Sequence, residues 1–92
     1  MNINKEKIAE LLDLFENKVT AGSKENELTL LKTSQRGFVG TQTYYLKLNG
    51  VVLKKAKRLS TIVKFFNINI EKYGLQDSIN KLLIETQVEV QK

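Results

Sequence analysis

Residues 44–58 read Tyr44-Tyr45-Leu46-Lys47-Leu48-Asn49-Gly50-Val51-Val52-Leu53-Lys54-Lys55-Ala56-Lys57-Arg58, two runs rich in β-formers on either side of Asn-Gly. A two-residue type I′ turn needs positive φ at both central positions, and Asn-Gly is the pair that supplies it most readily. The stretch is therefore a hairpin whose register the turn sets. Strict alternation from the turn predicts Leu48 opposite Val51, Leu46 opposite Leu53 and Tyr44 opposite Lys55 on a core-facing side. The other side then holds Lys47 opposite Val52 and Tyr45 opposite Lys54, so Tyr45 stands between two lysines away from the core. The hairpin ends in four cations within five residues, Lys54 to Arg58.

N-terminal to the hairpin, Glu27 to Thr33 reads as a strand with Leu28 and Leu30 on one face. Ser34-Gln35-Arg36-Gly37 supplies a turn, and Phe38 opens the next strand, which runs to Leu48 with Gly40 as a bulge or bend. Before these, Ile8, Leu11, Leu12, Phe15 and Val19 recur at helical spacing. Asn4 is the N-cap, Ile3 and Ile8 form a hydrophobic staple, and Gly22 is the stop. Glu10, Asp13 and Glu16 fall away from the apolar stripe and give this helix an acidic solvent face. After the hairpin, Leu59, Ile62, Val63 and Phe66 predict a second helix with Ser60 as its cap, Asn67-Ile68-Asn69 as a candidate interruption and Tyr73-Gly74 as its end. Asp77 caps a third helix with Ile79, Leu82 and Leu83 inward, and the tail from Glu85 frays or adds a short element. The expected fold is α+β, a three-stranded antiparallel meander packed on helices in the order α-β-β-β-α-α, in one domain over residues 1–92.

Charge is distributed unevenly. Between Glu27 and Glu71 there is no acid, while Lys32, Arg36, Lys47, Lys54, Lys55, Lys57, Arg58 and Lys64 make that segment +8. The flanks hold seven cations and ten acids, a balance of −3. Segregated positive charge is what a polyanion-binding face requires. With no Cys and no His, disulfides, thiolate chemistry and the common zinc sites are excluded, as is the usual proton-transfer residue at neutral pH. No Gly-rich phosphate loop or activated nucleophile is present, so a non-enzymatic protein without cofactor or metal is expected. The apolar runs are too short to span a bilayer, and Met1 is followed by Asn-Ile-Asn-Lys-Glu-Lys rather than a secretory leader, which gives a cytoplasmic expectation.

The candidate binding residues are Tyr45, Lys47, Lys54, Lys57 and Arg58, with Arg36 added from its loop. Cations neutralise phosphates and an exposed aromatic stacks on a base or sugar, so the expected partner is DNA or RNA held chiefly through its backbone. A second candidate is a helix-turn-helix over Thr61 to Tyr73, with Ile62, Val63, Phe66, Ile68 and Tyr73 in apolar positions and Asn67 at the turn, although Lys72 is the one cation of its second half.

The order α-β-β-β-α over roughly residues 4–66 resembles the double-stranded-RNA-binding domain, with Lys54-Lys55-Ala56-Lys57-Arg58 just before the second helix, where that family sets cations against phosphates. The family's glycine-containing approach to the cluster is absent, and its small-residue helix is here Ile62-Val63-Lys64-Phe65-Phe66. A three-stranded sheet followed by a helix also resembles the DNA-binding arms of some integrases and related plant transcription factors. Both resemblances imply nucleic acid without choosing DNA or RNA. The rival expectation is a protein-interaction module, such as a viral or mobile-element accessory factor that binds a host protein, with Phe65 and Ile68 as an apolar contact. A homodimer through the third helix or the Phe65 surface is a further expectation.

Overall fold

The structure is a computed structural model that describes residues 3–23, 25–34 and 42–91. Helix α1, Lys5–Leu14, is capped by Asn4, whose side chain accepts from the Lys7 N–H at 2.8 Å. Ile3 and Ile8 are both buried beside that cap, as a staple requires. The helix stops sooner than its apolar spacing predicts. Glu16 and Asn17 take left-handed φ values of 56° and 71°, and the Asn17 carbonyl accepts from the Lys32 N–H at 2.9 Å. That bond lays the chain against the second strand, and residues Lys18–Gly22 become strand β1.

The sheet therefore has four strands where three were expected: β1, β2 (Glu27–Ser34), β3 (Gln42–Leu48) and β4 (Val51–Ala56), antiparallel and adjacent in chain order. Val19 misled the reading because it lies four residues after Phe15, a position shared by a helical stripe and the inward face of a short strand. It is buried in β1 opposite Leu30, and Gly22 ends that strand rather than a helix. With the fourth strand, the order α-β-β-β-β-α-α departs from the double-stranded-RNA-binding arrangement. Phe38 and Gly40 lie outside the described residues.

The Asn-Gly turn forms as expected, with φ 52° at Asn49 and 86° at Gly50. Leu48 faces Val51 and Lys47 faces Val52, and there strict alternation ends. A bulge leaves Leu53 without a partner, so that Leu46 faces Lys54, Tyr45 faces Lys55 and Tyr44 faces Ala56. Without the bulge, lysine 55 would enter the row beneath the helix. With it, small Ala56 sits there and packs against the core beside Leu59.

All three helices lie on one side of the sheet. Helix α2, Leu59–Lys72, crosses β2, β3 and β4 and buries Ile62, Val63, Phe66 and Ile70. Its N-cap is Arg58, without a side-chain cap bond, rather than Ser60. It runs unbroken through Asn67 to Asn69, which removes the turn that a helix-turn-helix needs. Asn67 instead clamps the N-terminal segment: its Oδ1 accepts from the Ile3 N–H at 3.0 Å and its Nδ2 donates to the Ile3 carbonyl at 2.8 Å. Gly74, at φ 64°, ends α2, and the Leu75 N–H returns to the Ile70 carbonyl at 2.9 Å. Helix α3, Gln76–Gln91, buries Ile79, places Asp77 in its first turn rather than at the cap, and continues through the tail that was expected to fray or to add a short element. Among the described residues no helix is long and apolar enough to cross a membrane.

The face assignment is open to a direct test. Leu46 is fully buried, so Leu46→Asp puts a charge into the interior and leaves no cooperative transition in a thermal melt, and Leu46→Ala costs about 2–5 kcal/mol. Tyr45→Asp points to the other side and retains a native-like melt.

Asn49 offers a second test, read by urea denaturation. Its Oδ1 accepts from the Glu27 N–H at 2.8 Å and its Nδ2 donates to Asn26 Oδ1 at 3.2 Å. Asn49→Gly keeps the backbone conformation and loses these bonds, a cost of about 1–2 kcal/mol. Asn49→Ala loses the same bonds and adds about 1–2 kcal/mol for a left-handed residue with a Cβ.

Candidate nucleic-acid interface

The helices cover the face that carries Val19, Ala21, Leu28, Leu30 and Leu46, and among the described residues no helix covers the opposite face, on which Thr29 is nevertheless buried. Strand pairing arranges that open face in cross-strand files. One runs Lys18, Leu31, Tyr45, Lys55, with a cation at each edge of the sheet. The next runs Thr20, Thr29, Lys47, Val52. With strands spaced about 4.8 Å apart, the backbones of Lys18 and Lys55 stand roughly 14 Å from each other.

Lys18 and Lys55 are exposed, while Tyr45 and Lys47 are half-buried among their neighbours. The Lys55 ammonium sits 5.7 Å from the Tyr45 ring centroid, within cation–π range. Thr20 and Thr29 share a hydroxyl contact of 3.5 Å, which fills the file beside Lys47. Glu27 is on the same face, at the end near the Asn49 turn and away from the Lys18–Lys55 file. Among the described residues the single ion pair is Lys7 with Glu10 at 3.4 Å on α1, so the open-face lysines are not neutralised by a neighbouring carboxylate there. Glu6, Glu10 and Asp13 are exposed on α1, behind the sheet. The exposed carboxylates of α1 thus lie on the far side of the sheet from Lys18, Lys47 and Lys55.

Tyr45 and Lys47 are brought together on the open face as the hairpin predicts. Lys54 is not. The bulge turns it to the helix-covered side, where its ammonium lies 4.6 Å from the centroid of the Phe65 ring, and Lys55 takes its place opposite Tyr45. Phe65 is half-buried and packed against the core beneath that lysine, and of the pair only Ile68 is exposed, at 48%. Lys57 and Arg58 are exposed in the bend between β4 and α2, at the end of the sheet where Tyr44 faces Ala56. Arg36 lies outside the described residues.

Two residues of the face escaped the sequence reading. Lys18 was hidden in a segment assigned to the first helix, and Lys55 was placed in the core row opposite Tyr44. Consecutive Lys54-Lys55 send one lysine to the helix side in either register, so the pair alone did not say which. No protein-family model, curated protein or solved structure matches the chain.

The position of Lys54 has a measurable consequence. A cation over an aromatic ring at a partly exposed site contributes about 0.5–1 kcal/mol. Lys54→Gln is therefore expected to lower the unfolding free energy measured in urea by that amount, whereas Lys47→Gln leaves it unchanged. Equal effects of the two substitutions would place both lysines on one side of the sheet.

Proposed function

We propose that the chain binds nucleic acid across the open face of its sheet, chiefly through the phosphate backbone. The observation that carries this reading is the file Lys18, Leu31, Tyr45, Lys55 with Lys47 beside it. It combines spaced cations with an aromatic ring on a surface that, among the described residues, no helix covers. Lys47, Lys55 and Lys18 neutralise phosphates, Tyr45 stacks on a base or sugar, and Lys57 and Arg58 extend the positive surface at the end of β4. Lys54 has no part in this face. Backbone contacts carry no sequence information, so binding on this reading depends little on base sequence.

Fluorescence anisotropy with a single strand, a DNA duplex and an RNA duplex, each at two salt concentrations, tests the proposal. Lys47→Glu and Lys55→Glu together weaken binding to every ligand and flatten the slope of log affinity against log salt by roughly one to two. Tyr45→Ala lowers single-strand affinity by about 1–3 kcal/mol and leaves the slope unchanged, because stacking releases no counterions. Absence of binding at low salt, or variants that bind as the parent does, would remove the proposal.

A further inference from the structure

The sheet ends at β4, and there the exposed apolar side chains collect. Val51 is 65% exposed, Val52 50% and Leu53 42%, three consecutive residues on an edge strand. Helix α2 packs over β4 and brings Phe65 beneath Lys54, with the exposed Ile68 one turn further along the same helix face. An edge strand also leaves one row of backbone groups without partners. The Asn49 N–H points to β2, where it donates to the Glu27 carbonyl at 2.8 Å. Backbone direction alternates along an antiparallel strand, so Leu48 bonds across to Val51, Lys47 turns back toward β2, and Val52 opposite it directs its own N–H and C=O outward.

Charge decides what can use this edge. Lys54 lies on the helix side and Lys55 on the open side, with Lys57 and Arg58 beyond, and the sequence from Glu27 to Glu71 contains no acid between them. Lysines on an edge ordinarily block strand addition. The block holds against neutral and basic strands, and against a second copy of this chain, which would bring the same cations. It becomes attraction toward carboxylates.

We propose that the β4 edge receives an extended acidic peptide of a protein partner, added as an antiparallel fifth strand. Antiparallel pairing sets the partner's first half against residues 54–56, with Lys57 and Arg58 just beyond, and its second half against Val51 to Leu53. The fitting segment therefore runs from acids to β-branched apolar residues. Its acids are consecutive rather than alternating, because Lys54 and Lys55 flank the edge on both faces of the sheet. This site shares Lys55, Lys57 and Arg58 with the open face but uses neither Lys18, Tyr45 nor Lys47, and the inference stands whether or not the chain binds nucleic acid.

The probe is a fluorescein-labelled heptapeptide, Asp-Glu-Asp-Thr-Val-Ile-Val, titrated with the full chain. Its controls are the reversed sequence, and a form with Pro at its fourth and sixth positions, which has the same charge but lacks two backbone donors. The parent peptide is expected to bind at least tenfold more tightly than either control and to slow hydrogen exchange of the Val52 amide. Val52→Pro removes the outward donor and Lys54→Glu reverses one cation, and each is expected to weaken the peptide at least tenfold while far-UV circular dichroism is unchanged. If Val52→Pro fails to fold, Lys54→Glu alone decides. Equal affinity for all three peptides would reduce the effect to bulk charge and overturn the proposal. So would light scattering that shows a dimer at micromolar concentration which Val52→Pro dissolves, since a second copy would then occupy the edge.

Discussion

Asn49 couples the β1–β2 hairpin to the β3–β4 hairpin. Its left-handed backbone closes the turn from β3 to β4, its N–H bonds to the Glu27 carbonyl, and its side chain returns to the Glu27 N–H and to Asn26. One residue thus fixes the end of β2 against the end of β3 while it reverses the chain into β4. Because side chains alternate with a period of two, a slip of β3 by one residue against β2 would send Leu46 and Leu48 to the open face and bring Lys47 beneath the helices. The loop between β1 and β2 supports the same end of the sheet, with Ser23 accepting from the Glu25 and Asn26 N–H groups at 3.3 and 3.2 Å.

From that fixed end the register propagates only as far as the bulge at Leu46 and Lys47. The bulge divides the cations of β4 between two environments. Lys54 extends its stem along the helix-covered side and keeps its ammonium over Phe65, which lets a charged residue occupy an inward position without leaving water entirely. Lys55 goes to the open face beside Tyr45. A strictly alternating strand would have placed three positions, 53, 55 and 57, toward α2. Two of those are lysines, one of them under the first turn of the helix. Ala56 in that place lets Leu59 and Ile62 close over the sheet.

These details explain which parts of the structure were legible. Asn-Gly carried the hairpin because its chemistry is local: no other common pair satisfies two positive φ values so readily. Asn4, Ile3 and Ile8 carried the start of α1 for the same reason, and Tyr73-Gly74 the end of α2. Strand β1 was not legible from periodicity, since five residues give too few repeats to separate an alternating strand from the end of a helix. The available sign was Asn17, a residue that tolerates left-handed φ, ahead of β-branched Val19 and Thr20. The bulge had still less local signal. It lies where α2 crosses β4, and nothing in the residue type of Leu53 marks it. The site followed the fold in this respect: Tyr45 and Lys47, close to the turn, were placed correctly, and Lys54 and Lys55, beyond the bulge, were exchanged.

The one-sided packing gives the sheet two different relations to solvent. On the helix side Phe66, Leu30, Leu46 and Ile62 exclude water completely, so that side is closed to any partner. The open face carries Leu31, Tyr45 and Val52, which a bare sheet would expose as a sticky surface. Lysine stems from 18, 47 and 55 lie in the same files and cover part of it while their ammonium groups remain in water. The cover is removable, since a lysine side chain can follow a phosphate or carboxylate without disturbing the backbone that holds it. The edge of β4 differs, because Val51 to Leu53 remain largely uncovered and the lysines stand beyond them rather than over them. On the face, charge lies over apolar surface; along the edge, it lies beside it. A flexible polyanion suits the first arrangement, and a strand with its own division into acidic and apolar halves suits the second.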